Sequence, residues 1–90
     1  MLHVISSSPF AQTTLQNCLE FMQSDDQLVL VQDAVIATAV DKWSSILGNR
    51  EVYVLHEDLQ ARALKAKVGK IITMEGYVDL VVTYGSPLCW

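Results

Sequence analysis

The sequence has 90 residues, of which 51% are hydrophobic, and its formal net charge is −4 at pH 7, from 6 basic and 10 acidic side chains. This length predicts a single domain over residues 1–90. The acidic balance argues against direct nucleic-acid binding, which needs clustered Lys and Arg to neutralise phosphates. So short a chain with so much apolar surface is expected to bury part of it against other subunits, or against copies of itself when isolated.

The cysteine content and the hydropathy pattern indicate a cytoplasmic protein. Cys18 and Cys89 are far apart in the sequence and form no disulfide framework. We find neither a signal peptide nor an apolar run long enough to span a bilayer. A reducing, cytoplasmic setting without membrane contact is therefore expected.

The chain opens with a predicted strand and helix. The apolar run Leu2–Ile5 predicts the strand, and Pro9 suits the first turn of a helix capped by Ser7 or Ser8. Helical spacing then extends over residues 10–23. The inward face of this helix is predicted to carry Leu15, Cys18, Leu19 and Met22.

A second strand and helix follow. The apolar run 28–31 is typical of a parallel strand buried on both faces. Asp33 is predicted to cap a helix that runs through Trp43 and ends at Gly48 and Asn49, which supply turn chemistry.

The second half repeats the alternation. Val52–Leu55 predicts a third strand, and a third helix opens at His56 with acids in its first turn. On that helix Asp58 and Arg62 are four residues apart, the spacing of a surface ion pair. Residues 70–73 predict a fourth strand.

A fourth helix is predicted over residues 75–84, and Gly85 and Pro87 provide its stop signal. Its inward stripe is expected to comprise Tyr77, Val78, Val81, Val82 and Tyr84. The resulting order, βαβαβαβα, predicts an α/β fold with a parallel β-sheet flanked by helices.

Few residues suggest chemistry. Phosphate-binding glycine patterns are absent after the first strand, and His3 and His56 lack metal-ligand spacing, so neither a cofactor nor a metal is predicted. Cys18 is the candidate nucleophile, but its place on an apolar helix face favours a structural role. Glu57 and Asp58 are expected to form a solvated first helical turn.

Two other features leave alternatives open. Trp43 and Trp90 are predicted interface residues, because tryptophan is enriched at interface hot spots, although each could equally cover an edge of this domain's own core. Residues 6–8 and Asp33 follow predicted strands and would line the site of a small-ligand binding module, the lowest-ranked hypothesis.

Several segments together resemble one known family, the TusB/DsrH sulfur-relay subunits. The resemblance is carried by the segments Met1-Leu2-His3, Ser8-Pro9-Phe10, Leu28-Val29-Leu30-Val31-Gln32-Asp33, Val52-Tyr53-Val54-Leu55, Glu57-Asp58-Leu59 and Ala61-Arg62, and by Trp90. The chain departs from the family at Ala34 and Ala63, which stand where glycine is common in relatives.

The resemblance implies a DsrE-like fold and assembly with TusC-like and TusD-like paralogues into a heterohexamer. Such a complex passes persulfide sulfur toward 2-thiolation of the tRNA wobble uridine, and its TusB-type subunit is regarded as structural, without independent catalytic activity. The alternative is a DsrH-type sulfur carrier used in sulfur oxidation. Cys18 aligns with the first-helix cysteine of those relatives and is the candidate carrier.

Overall fold

The computed structural model describes residues 1–48 and 50–90, which form one five-stranded sheet with helices on both sides. The strands are β1 (Leu2–Ile5), β2 (Gln27–Leu30), β3 (Val52–Leu55), β4 (Lys70–Ile72) and β5 (Leu88–Cys89). The helices are α1 (Thr14–Phe21), a 3₁₀ helix (Gln32–Thr38), α2 (Asp41–Leu47), α3 (His56–Ala61) and α4 (Met74–Tyr84). The predicted α/β class with a parallel sheet is confirmed.

Every strand pairing in the sheet is parallel, and the order across it is β4-β3-β2-β1-β5. The strand β5 is absent from the sequence-based prediction. It is only two residues long and follows Pro87, so it offers no alternating pattern by which to recognise it. It pairs with His3 and Val4 at the sheet edge opposite β4.

The position of β5 decides where α4 lies. Because α4 connects β4 at one edge to β5 at the other, it crosses the sheet and contacts both β4 and β1. It packs on the face that carries Leu2, Val4 and Val29, which we call the α4 face. The remaining helices cover the opposite, helix-rich face, which carries Ile5, Leu28, Leu30, Val52 and Val54.

The first helix is shorter than predicted. It begins at Thr14, because the amides of Ala11 and Gln12 both donate to the carbonyl of Ser8 in a separate turn. The Ser8 hydroxyl accepts from the Phe10 amide within that turn and caps no helix, so the predicted serine N-cap is wrong. The predicted inward face is confirmed for Leu15, Cys18 and Leu19, which are buried.

The predicted second helix is two helices. The carbonyl of Thr38 accepts from the amide of Lys67 and the hydroxyl of Ser44. The chain turns there instead of continuing one helix. The predicted cap at Asp33 is also wrong, because Val31 precedes the 3₁₀ helix and Asp33 lies in its first turn. The predicted role of Asn49 at the helix end lies outside the described residues.

The fourth helix is confirmed, but three of the five residues of its predicted inward stripe are exposed. Tyr77 and Val81 pack against the sheet, whereas Val78, Val82 and Tyr84 are exposed. No residue of α4 is fully buried. Gly85 ends the helix as predicted, at a φ of 88° that glycine adopts without a Cβ clash.

Candidate functional site

Cys18 is part of the core beneath α1. Its side chain is fully buried, with Leu15 and Leu19 of the same helix in the same cluster. Burial raises the pKa of the Cys18 thiol to about 12, and the negative charge of Asp26 adds to the rise. A thiolate is the nucleophilic form of cysteine, so both the burial and the raised pKa disfavour nucleophilic chemistry at Cys18 in this conformation.

His3 is fully buried next to this core, in a network that the sequence analysis missed. Its Nε2 lies 2.8 Å from Asp26 Oδ2, and the indole N–H of Trp90 donates to its Nδ1 over 3.1 Å. Because an indole N–H can only donate, Nδ1 is the acceptor, and Nε2 carries the proton that it donates to Asp26. Both ring nitrogens are therefore engaged, and His3 is no base for Cys18.

The carboxylate of Asp26 accepts hydrogen bonds from three groups in the N-terminal half of the chain. Besides His3, its carboxylate accepts from the amide of Gln23 and from the amino group of Met1. The hydrogen bond from His3, followed by that from Met1, holds the pKa of the Asp26 carboxyl well below its usual value of 3.8. Its position just before β2 gave no sequence signal, because His3 is distant along the chain.

The two predicted interface tryptophans lie in different surroundings. Trp90 is half-buried, and its ring packs edge-on against exposed Phe21 at a centroid distance of 5.5 Å. Trp43 is only 7% exposed and packs in the core of the helix-rich face. It also lines a groove of about 410 Å³ that includes Leu19, Ile46, Lys42 and Arg50.

Charged residues meet at the carboxyl ends of β2 and β3. The guanidinium of Arg62 lies 2.9 Å from Asp33 Oδ1 and 3.7 Å from Asp58 Oδ1. The predicted Asp58–Arg62 contact is thus present, but Arg62 binds Asp33 more closely. Asp58 also accepts from the amide of Gln32, whose φ of 50° is left-handed. These contacts fix the start of the 3₁₀ helix onto α3.

The predicted ligand-binding positions Ser8 and Asp33 do come together. With Ile36, Arg62 and Leu64 they line an open groove of about 340 Å³. The cationic group among these lining residues, Arg62, is already paired with two carboxylates. Its charge is therefore offset before any anionic ligand arrives.

The most exposed apolar surface of a helix lies on α4. Met74, Val78 and Val82 are 53%, 53% and 79% exposed, and their spacing of four residues places them along one side of the helix. We call these three residues the α4 ridge. Beside them Glu75 and Asp79, also four apart, form an exposed acidic row. The sequence of α4 contains no Lys or Arg.

Other kinds of site find little support in the described part of the chain. Within residues 1–48 and 50–90, no group of three His, Cys, Asp or Glu side chains could hold a metal ion. His56 is exposed at the start of α3, away from the network of His3. The helices of these ranges are all too short to cross a bilayer, the longest being the eleven residues of α4.

Comparisons with known proteins place the whole chain in one group. The family model described as DsrH like protein matches residues 7–86. The protein TusB of Escherichia coli K12 is 36% identical over 97 residues, and that of Enterobacter sp. 638 is 35% identical over 97, with full coverage of both chains in each case. The protein TusB of Erwinia tasmaniensis is 34% identical over 84 residues, covering 90% of this chain and 87% of its own.

Proposed function

This chain belongs to the DsrH-like family, and we propose that it is a structural subunit of a sulfur-relay complex that supports 2-thiolation of the tRNA wobble uridine. Its full-length relatives named TusB support this proposal. Its partners in the complex are TusC-like and TusD-like paralogues, arranged with it in a heterohexamer in the cytoplasm. The sulfur-bearing chemistry then resides in the partners.

The observation that carries the structural role is the burial of Cys18. A sulfur carrier must present a thiolate to the donor, but the Cys18 thiol is fully buried and burial raises its pKa to about 12. The positive charge of Arg50 acts in the opposite direction, but it is the smallest of the influences on this thiol and does not offset burial. Cys89 is exposed in the edge strand β5, near Tyr77, whose pKa is raised by burial and, to a smaller extent, by the charge of Cys89.

The competing function is a DsrH-type carrier that receives sulfur on Cys18. The first-helix cysteine of such relatives favours it, but α1 would have to move to expose the thiol. Alkylation of the native protein separates the two functions. The structural role predicts rapid modification of Cys89 and protection of Cys18 until denaturant is added, as measured by peptide mass spectrometry.

The test in the cell uses Cys18→Ala, because alanine is small, apolar and a good helix former in a buried helix. A strain that lacks the natural gene is supplied with wild-type or variant protein, and thiolated uridine is quantified in its tRNA by mass spectrometry. Cys18→Ala should restore thiolation to the wild-type level. If wild-type protein restores thiolation and Cys18→Ala does not, Cys18 carries sulfur.

Assembly is tested by co-expression with the TusC-like and TusD-like paralogues of the same genome. An affinity tag on one paralogue should retain the chain, and the mass of the purified complex should equal two copies of each subunit. A chain that remains monomeric and never enters the complex would refute the proposal. The predicted interface residues Trp43 and Trp90 are tested in the same experiment by substitution with alanine.

A further inference from the structure

We propose that the α4 ridge is the docking surface for a helix of a paralogous subunit, and that this partner helix carries Lys or Arg beside its own apolar residues. The inference rests on the proposed function, because it takes the partner to be a member of the same complex. It adds which surface of this chain meets a partner and which chemistry that partner presents.

The geometry of the sheet leaves the α4 ridge uncovered. Five strands at the usual spacing of about 4.8 Å span roughly 19 Å, whereas one helix is about 10 Å across. The helix-rich face is covered by four helical segments, and the α4 face by α4 alone. A single helix cannot both cover its sheet face and shield its own outer side.

The α4 ridge has the form of a helix-packing surface. Met74, Val78 and Val82 follow one i, i+4, i+8 row, and such rows form the ridges that fit into the grooves of a neighbouring helix. They are contiguous, unlike the isolated exposed apolar residues that occur on any protein surface. Each side chain is at least half exposed, so the ridge is available in the isolated chain.

The acidic row selects the partner's charge. Glu75 and Asp79 lie beside the ridge, and in the described part of the chain neither is in an ion pair. A docking helix would bring its flanking side chains next to these two carboxylates. Lys or Arg side chains of the partner would be attracted to the two carboxylates, whereas Asp or Glu side chains would be repelled. A partner helix with Lys or Arg is therefore favoured.

The same charges disfavour a second copy of this chain. Two α4 helices packed parallel would place their acidic rows on opposite sides of the contact, and α4 has no Lys or Arg to lie opposite either row. Antiparallel packing about the middle of the helix would bring the two Asp79 side chains together, because Asp79 is its central residue. Since α4 has no Lys or Arg to offset this repulsion, the ridge is not a homodimer surface.

The experiment replaces the ridge with charge and measures binding to the co-expressed paralogues. Val78→Glu and Val82→Glu keep the helix, because glutamate is a better helix former than valine. Phe10→Glu is the matched control, since Phe10 is comparably exposed but lies in the turn before α1. Circular dichroism and thermal unfolding of each variant check that it folds.

Each ridge variant should weaken the complex by at least about tenfold, because a charge would be buried among apolar side chains, while Phe10→Glu binds as wild type. Glu75→Lys combined with Asp79→Lys should also weaken binding, and most at low salt, where charge attraction is strongest. Wild-type affinity that falls as salt rises would agree with the cationic partner.

Three results would overturn the inference. If wild type and both ridge variants bind equally well, the docking surface is elsewhere, and the proposed function stands. If wild type itself fails to bind, the proposed function falls and takes the inference with it. If the isolated chain forms a dimer in sedimentation that Val78→Glu abolishes, the ridge serves a second copy of the chain.

Discussion

The two faces of the sheet differ in how completely the chain covers them. On the helix-rich face, α1, the 3₁₀ helix, α2 and α3 bury Ile5, Leu28, Leu30, Val52 and Val54 in one core. On the α4 face a single helix buries three strand residues and leaves its own ridge in solvent. The comparison indicates that one face supplies the stability of the isolated chain, and the other the surface for association.

The sharpest test of this division is a truncation in the core of the helix-rich face. Leu30 is fully buried in that core, so Leu30→Ala leaves a cavity and should lower the free energy of unfolding by about 2–5 kcal/mol. Urea unfolding followed by circular dichroism measures it. A decrease below about 1 kcal/mol, the effect typical of an exposed site, would contradict the assignment of stability to this face.

A second test asks how much the polar network at the edge of that core contributes. Asp26→Asn replaces one carboxylate oxygen with an N–H₂ group, which then faces either the donor at Met1 or the donors at His3 and Gln23, and should cost about 1–3 kcal/mol at pH 7. The folded-state pKa of Asp26 lies below the unfolded value of 3.8, so its stabilising effect is complete above pH 3.8 and is lost as pH falls below it.

Urea unfolding from pH 7 down to pH 3 therefore provides the measurement. The difference in stability between wild type and Asp26→Asn should be constant at neutral pH and should shrink as the solution becomes acidic. Two curves that remain parallel down to pH 3 would show that the charge of Asp26 does not stabilise the network.

A third test removes backbone strain after α3. Ala63 has a φ of 53°, a left-handed conformation that is unfavourable for any residue with a Cβ. Its side chain is exposed. Ala63→Gly should therefore raise the free energy of unfolding by about 1 kcal/mol, since an exposed methyl group contributes little packing. A matched control is Ala61→Gly within α3, which should lower stability by a similar amount. If thermal unfolding shows that both variants are destabilised, the left-handed conformation is wrong.

The smallest expected effect is on the α4 face. Val82 is 79% exposed, so Val82→Ser should change the stability of the isolated chain by less than about 0.5 kcal/mol. Thermal unfolding of the chain alone measures it. A destabilisation comparable to that of Leu30→Ala would mean that the ridge is packed within the monomer and would remove the contrast between the faces.

The sequence predicted four strands and the positions of most helices because their signals are local. The apolar run at 28–31 and the helical spacing of Leu15, Cys18 and Leu19 depend only on neighbouring residues. The resemblance also identified Ala63 as a departure from glycine, and its left-handed backbone explains why glycine suits that position.

The candidate site was less predictable, because its contacts join distant parts of the chain. Trp90 meets His3 across 87 residues of sequence, and Arg62 pairs with Asp33 across 29. Nothing in the local pattern distinguishes the buried His3 from an exposed histidine. The division of the Asp33 to Gly48 region into two helices likewise depends on the amide of Lys67, which reaches the Thr38 carbonyl from a later segment.

By itself, the sequence determined the class of fold and the family resemblance, since apolar runs and helical spacing dictate which segments become strands and helices. Only the tertiary structure decided which face of the sheet α4 covers. That depends on β5, two residues whose pairing with β1 carries α4 across to the opposite face. Long-range strand pairing of this kind is set by the packing of the whole chain. On that face α4 meets the sheet through Tyr77, Leu80 and Val81, so Val78 and Val82, which the sequence predicted to point inward, are exposed.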